Sequence, residues 1–245
     1  MARLPQFIAG TGVAVVAGMV MLLGSPAGIA GASPTAAGLY QEAIATTKGW
    51  TVHYVSTSTI SKVPFLESGD TGPASGTQSI RVGKGSTLDV ASLIVIGDLT
   101  FIRGNKLAME DLTGLSSPEA AIAMNHWVLF SSNNPTFAQV VVGVRSHDVA
   151  QEVAMQGPYS FGPSRSLDGH KVEALRGTQK LQGAKRMDAV LYVRASGRHR
   201  LIEEDTVSSQ GKANGAEHIV FSKWGELVRP KAPDAALTLG SVNAA

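Results

Sequence analysis

The sequence predicts an α+β fold in a single domain, and three observations carry that reading. Short apolar runs between residues 78 and 103 are separated by turn dipeptides such as Gly97-Asp98, the pattern of an antiparallel meander. The middle third turns helical at Ser117-Pro118-Glu119, with Ser as N-cap, Pro at the first helical position and an acid in the first turn. Strict alternation then returns at Met187–Arg194, placing Ala189, Leu191 and Val193 on one face.

Taken in order, Leu39–Thr47 reads as a short helix after a small-residue spacer, and Trp50–Thr59 as a β-branched, aromatic strand. Glu67–Gly76 is dense in Gly, Ser, Asp and Pro and is expected to be a loop. Strands are expected at Gln78–Val82, Ala91–Ile96 and Leu99–Arg103, and, after Gly104-Asn105, at Lys106–Glu110. Ala91–Ile96 is apolar on both faces, so the sheet there should be covered on both sides. Trp127–Phe130 reads as buried. Phe137, Val140, Val141 and Val144 share one helical face after Thr136, although the valines also suit a strand. Ser146-His147-Asp148 is expected to cap a helix reaching Met155. Asp168-Gly169 joins a hairpin between Ser164–Leu167 and Lys171–Arg176; further strands are expected at His199–Val207 and Ala216–Ser222, with Trp224-Gly225 as a last hairpin before Glu226–Arg229. The tail from Pro230 to Ala245 is Ala- and Pro-rich, and its residues 234–245 are expected to be disordered.

Composition bounds the function. Apolar residues make up 44% of 245, enough for a core, and a net charge of +2 with no basic-aromatic cluster gives no support for nucleic-acid binding. With no cysteine the chain has no thiol nucleophile, thiolate metal site or redox pair. Residues 1–32 read as a secretory signal: Arg3, an apolar run from Ile8 to Leu23, Pro26, and the small-x-small pattern Ala30-Gly31-Ala32 before Ser33, making Ala32 and Ser33 the cleavage pair. The alternative is an uncleaved N-terminal anchor. Either places the body outside the cytoplasm.

No catalytic constellation emerges. The six histidines are scattered, Ser146-His147-Asp148 is too contiguous to converge as a triad, and no Gly-x-Ser-x-Gly elbow occurs. Gly83-Lys84-Gly85-Ser86-Thr87 lacks the Gly-Lys-Ser/Thr order of a phosphate loop and reads as a turn. Glu203-Glu204-Asp205 has carboxylates that a strand sends to opposite faces, so a solvated edge is the expected role. No catalytic residue, cofactor or metal site is expected. A twisted sheet partly wrapped around helices encloses an apolar space, either core or ligand cavity. The side chains expected there are Leu93, Val95, Phe101, Leu107, Val128, Phe130, Phe137, Val141, Leu191, Val193, Ile219 and Phe221.

The order of motifs resembles a known family. The meander Leu93–Arg103 is followed by Trp127-Val128, Asp148-Val149-Ala150 and Leu167-Asp168-Gly169-His170-Lys171-Val172. Then come Leu191-Tyr192-Val193 and Ile219-Val220-Phe221-Ser222-Lys223-Trp224-Gly225, leading to Arg229-Pro230-Lys231-Ala232-Pro233. This is similar to the LppX/LprG-type lipoproteins of mycobacteria and other actinobacteria, which are related in fold to the LolA/LolB carriers; the likeness covers residues 50–233. It implies a strongly curved antiparallel half-barrel with helices over its concave face. It also implies a cavity that shelters a hydrophobic ligand, an acylated lipid or glycolipid, for movement through the envelope, with contact to a membrane surface possible. The family's lipidation cysteine is missing: Ala32-Ser33 stands there and the chain has no cysteine. The alternative function is a ligand-free structural or interaction module of the same fold. Oligomeric state is left open.

Overall fold

One sheet organises the protein. The computed structural model describes residues 34–60, 62–131, 143–180, 186–208 and 215–243. The signal-like segment with Ala32 and Ser33, and the candidates Phe137 and Val141, lie outside them. A first meander is formed by β1 (Val52–Ile60), β2 (Val63–Thr71), β3 (Ser75–Val82), β4 (Asp89–Ile96), β5 (Leu99–Gly104) and β6 (Val128–Ser131). A second runs through β7 (Gln156–Phe161), β8 (Arg165–Leu167), β9 (His170–Lys180), β10 (Arg186–Arg194), β11 (Leu201–Ser208) and β12 (Ala216–Ser222). Strand β1 pairs with both β2 and β12, so the two meanders merge into one open, curved half-barrel. Its pairs are antiparallel except that β13 (Leu237–Thr238) lies parallel to β6.

Helices cover the concave face in two groups. Helix α1 (Ala36–Gly49) starts where Thr35 accepts a hydrogen bond from the Gly38 amide, and it lies against α4 (Ser146–Glu152). Their apolar faces join Leu175, Leu191, Val193, Ile219 and Phe221 in one cluster. Tyr40 of α1 stacks on Tyr159 and donates its hydroxyl to the Met155 carbonyl at 3.1 Å. The second group, α2 (Lys106–Thr113), α3 (Ser117–Ala123) and α5 (Leu239–Asn243), covers the first meander. Its cluster includes Leu93, Val95, Ile102, Val128 and Phe130.

Several expectations need correcting. Lys106–Glu110 is helical, because the Asn105 side chain accepts from the Ala108 amide and caps a run of good helix formers. The cap of α3 is Ser116 rather than Ser117, with Glu119 completing a capping box. Glu67–Thr71 and Ser75–Gly76 belong to paired strands and not to a loop. Their glycines are there for clearance: a Cβ on Gly69 would meet the Tyr54 ring at 2.7 Å, and one on Gly76 the Val144 carbonyl oxygen at 2.0 Å. Segment 226–229 forms no strand after Trp224-Gly225. Within 234–245, β13 and α5 are ordered, because the Leu237 amide donates to the Trp127 carbonyl and Val242 is buried in the second cluster. The outer side of β4 is only partly covered, with Ile94 and Ile96 half-buried.

The tight approach at Gly76 predicts that Gly76→Ala destabilises the fold by about 1–3 kcal/mol through overpacking against rigid backbone. Gly49→Ala, where a Cβ meets nothing within 4 Å, should change stability by less than about 0.5 kcal/mol. Urea denaturation of the two variants checks the contrast.

Candidate functional site

Polar side chains stand among the apolar ones that alternate inward on β1, β2, β3, β11 and β12. Ser56 faces Glu67 across one strand pair and Ile219 across the other, and Ile219 in turn faces Glu204. In the neighbouring row Ser58 lies opposite Glu217, and Glu217 opposite Thr206. A seam of carboxyls and hydroxyls therefore runs between the two apolar clusters.

Each carboxyl is held by neighbours. Tyr54 donates its hydroxyl to Glu67 Oε1, and Gln78 Nε2 donates to the same oxygen at 2.6 Å and to Tyr54 Oη at 2.9 Å. The backbone of Gly143, at φ +80, lies against all three groups; a Cβ there would sit 2.6 Å from Gln78 Nε2. Ser56 donates to Glu217 Oε1 at 2.7 Å. Gln179 donates to Glu204 and, at 3.1 Å, to the Glu152 carbonyl at the end of α4. Glu204 Oε2 and Thr206 Oγ1 have no partner among the described residues, although both residues are only 1% exposed.

Burial dominates the electrostatics. It pushes the Glu67 carboxyl up to about 7, against the hydrogen bonds from Tyr54 and Gln78. Glu204 and Glu152 are raised well above the ordinary carboxyl value, first by burial and then by each other's neighbours: Glu217 next to Glu204, and Glu67, Glu217 and Glu204 around Glu152. Glu217 is raised by burial and held back by Ser56. By accessible surface Glu152 and Glu217 are half-buried, so the seam keeps a partial opening there.

The expected cavity residues divide between lobes. Leu93, Val95, Val128 and Phe130 are buried in the second cluster, and Leu191, Val193, Ile219 and Phe221 in the first. Leu107 is half-buried on α2. Phe101 pairs with Ile94 and faces the opposite side of the sheet from Leu93 and Ile102, so it does not line the concave face. Glu203-Glu204-Asp205 is not at an edge, because β11 lies between β10 and β12. Alternation sends Glu204 inward and leaves Glu203 and Asp205 outside, where Arg165 pairs with Glu203 and His218 Nδ1 lies 2.8 Å from Asp205. Glu203, Asp205 and His218 offer ligand atoms within 4.8 Å of one another, a grouping that β11 and β12 assemble. Two recesses open on this outer face, one of about 430 Å³ beside Asp205 and His218 and one of about 280 Å³ beside His53, Asp70 and Trp127.

Reasoning from sequence missed the interior carboxyls. The available signal was alternation: Glu217 is in phase with Ile219 and Phe221, and Glu204 with Thr206 and Ser208.

No family model and no curated protein matches the sequence. Among solved structures, the chain is similar to LprF from Mycobacterium bovis, with a TM-score of 0.51 and 17% identity over 82% of this chain and 99% of that one. It is also similar to the lipoprotein LppX from Mycobacterium tuberculosis, with a TM-score of 0.43 and 15% identity over 78% and 95%. A LolA superfamily protein from Nitrosomonas europaea gives a TM-score of 0.29 and 11% identity over 81% and 96%. The likeness to LprF is one of fold, and it agrees with the half-barrel that the motif order implies.

Because the folded state holds the Glu67 proton more tightly than the unfolded chain does, its stabilising contribution is complete below pH 4.5 and is lost as pH rises through about 7. Across that window the group removes up to about 3 kcal/mol of stability. Urea denaturation between pH 5 and pH 8 should show wild-type stability falling with pH, and Glu67→Gln should flatten part of that slope.

Proposed function

We propose that this chain is an exported, non-enzymatic binding protein that shelters a hydrophobic ligand, a lipid or glycolipid, between sheet and helices. The observation that carries this reading is the concave face itself: two apolar lobes on one half-barrel, each covered by its own helices. Covering acyl chains requires apolar area, and each buried methylene contributes about 0.8 kcal/mol. The signal-like segment supports an extracytoplasmic location, and the fold shared with LprF, together with the likeness to a lipoprotein, supports a place in the cell envelope. Among the described residues no helix is long and apolar enough to cross a membrane. With no cysteine to lipidate, the protein is released after cleavage or held by its N-terminal segment. In this reading the helices move off the sheet to admit the ligand, since Leu93, Val95, Leu191 and Val193 are at most 1% exposed.

That same close packing favours a second reading, a ligand-free structural or interaction module in which the concave face is filled by its own core. Extraction and mass spectrometry of the protein purified from an actinobacterial host separates the two. The binding reading expects stoichiometric lipid in the extract. A lipid-free protein that also fails to take up acyl chains from vesicles leaves the module.

A further inference from the structure

We propose that the polar seam receives the primary ammonium group of an amphiphile whose apolar chains enter the flanking lobes, which rests on the reading that the interior shelters a hydrophobic ligand. The seam gathers Glu67, Glu152, Glu204 and Glu217 from β2, α4, β11 and β12 on the helix-covered face. The other groups facing them are acceptors or neutral donors: Tyr54 and Ser56 on β1, Gln78 on β3, Gln179 on β9, and Asp148 on α4. No cation pairs with these four glutamates among the described residues.

Two oxygens of the seam can accept from a ligand donor. Glu204 Oε2 and Thr206 Oγ1 lie on the same inward face of β11, beside Glu217, and neither has a partner among the described residues. A buried polar atom left unpaired costs about 1–3 kcal/mol, so a ligand donor placed there has a large advantage over an apolar group. Spacing argues against a bare metal ion. The described groups close enough to converge on one ion are Glu203, Asp205 and His218 on the other side of the sheet, whereas the interior glutamates are more widely spread. An ammonium has three N–H donors and can reach acceptors in several directions. Charge-assisted hydrogen bonds to carboxylates are roughly twice as strong as neutral ones.

The electrostatics agree with the geometry. Burial, helped by repulsion among neighbouring carboxylates, raises all four carboxyls above their ordinary value, Glu67 to about 7. An arriving ammonium relieves that repulsion and releases a proton from the seam to solvent.

The test uses the full chain at pH 7.5, titrated calorimetrically with dodecylamine and with dodecanol below their aggregation limits. We expect dodecylamine to bind about tenfold more tightly than dodecanol, with proton release seen as a binding heat that varies with buffer ionisation enthalpy. Glu204→Gln should abolish the difference; Glu217→Gln, at a half-buried position, serves as the second variant if the first fails to fold. Glu42→Gln on the exposed face of α1 should keep it. Equal binding of amine and alcohol, or a difference that survives in both seam variants, overturns this inference and leaves the hydrophobic-ligand reading standing. Binding of neither probe overturns both.

Discussion

The structure depends on one pairing, that of β1 with β12. Every other major strand contact joins neighbours in a meander, close in sequence and inexpensive in loop entropy. The β1–β12 ladder instead aligns His53–Thr59 with Ala216–Ser222, roughly 160 positions apart, as the Ser56–Glu217 hydrogen bond records. Without it the chain would be two separate sheets, each with an exposed edge and half of a core. Register at this join is also strict. A slip of one residue would turn one of the two strands over, either sending Tyr54 and Ser56 outward with His53 and Val55 inside, or sending Ile219 and Phe221 outward with His218 and Val220 inside.

The polar seam lies along this join, and the arrangement of the core follows from it. The cluster around Leu175, Leu191 and Ile219 belongs mainly to the second meander with α1 and α4, and that around Leu93, Ile102 and Phe130 to the first meander with α2, α3 and α5. Between them stand Glu67, Gln78, Ser56, Glu204, Thr206 and Glu217. Tyrosine and glutamine donors reach Glu67 and Glu204, and burial nevertheless raises these same carboxyls above their ordinary value. A protonated carboxyl costs far less to bury than an ionised one, and the raised carboxyls of the seam express that cost.

Much of this was legible in the sequence wherever periodicity and turn chemistry agreed. Ala189, Leu191 and Val193 alternate inward as their spacing requires, and Gly97-Asp98 and Asp168-Gly169 turn where expected. The failures have physical causes. Gly69 and Gly76 make β2 and β3 look like a loop, because a glycine's clearance role depends on Tyr54 and Val144, which are distant in sequence. Asn105 reads as a turn residue until its side chain is seen to cap α2. Leu237 and Val242 find partners only once β6 and α3 exist to receive them. The interior glutamates were missed for a related reason, although alternation carried a signal for Glu204 and Glu217. A lone glutamate in a mixed strand suits a solvent face, and only the register with Ser56 and Tyr54 shows that these point inward.

The two-lobed core also says where such a half-barrel yields most cheaply. Parting a helix from its own lobe uncovers leucine, valine and phenylalanine at about 25 cal/mol for each square ångström exposed. Parting the lobes along the seam uncovers carboxyls, amides and hydroxyls, which water solvates at once; the carboxyls, relieved of burial, then ionise at any pH above their ordinary value. The line of least hydrophobic cost is therefore the line of greatest charge. The hydrogen bonds that Tyr54, Gln78, Ser56 and Gln179 donate to the seam's carboxyl oxygens resist separation there, and they favour the ionised form that burial opposes. Proton occupancy of the interior and the ease of parting the lobes are in this way coupled through the glutamates of the seam.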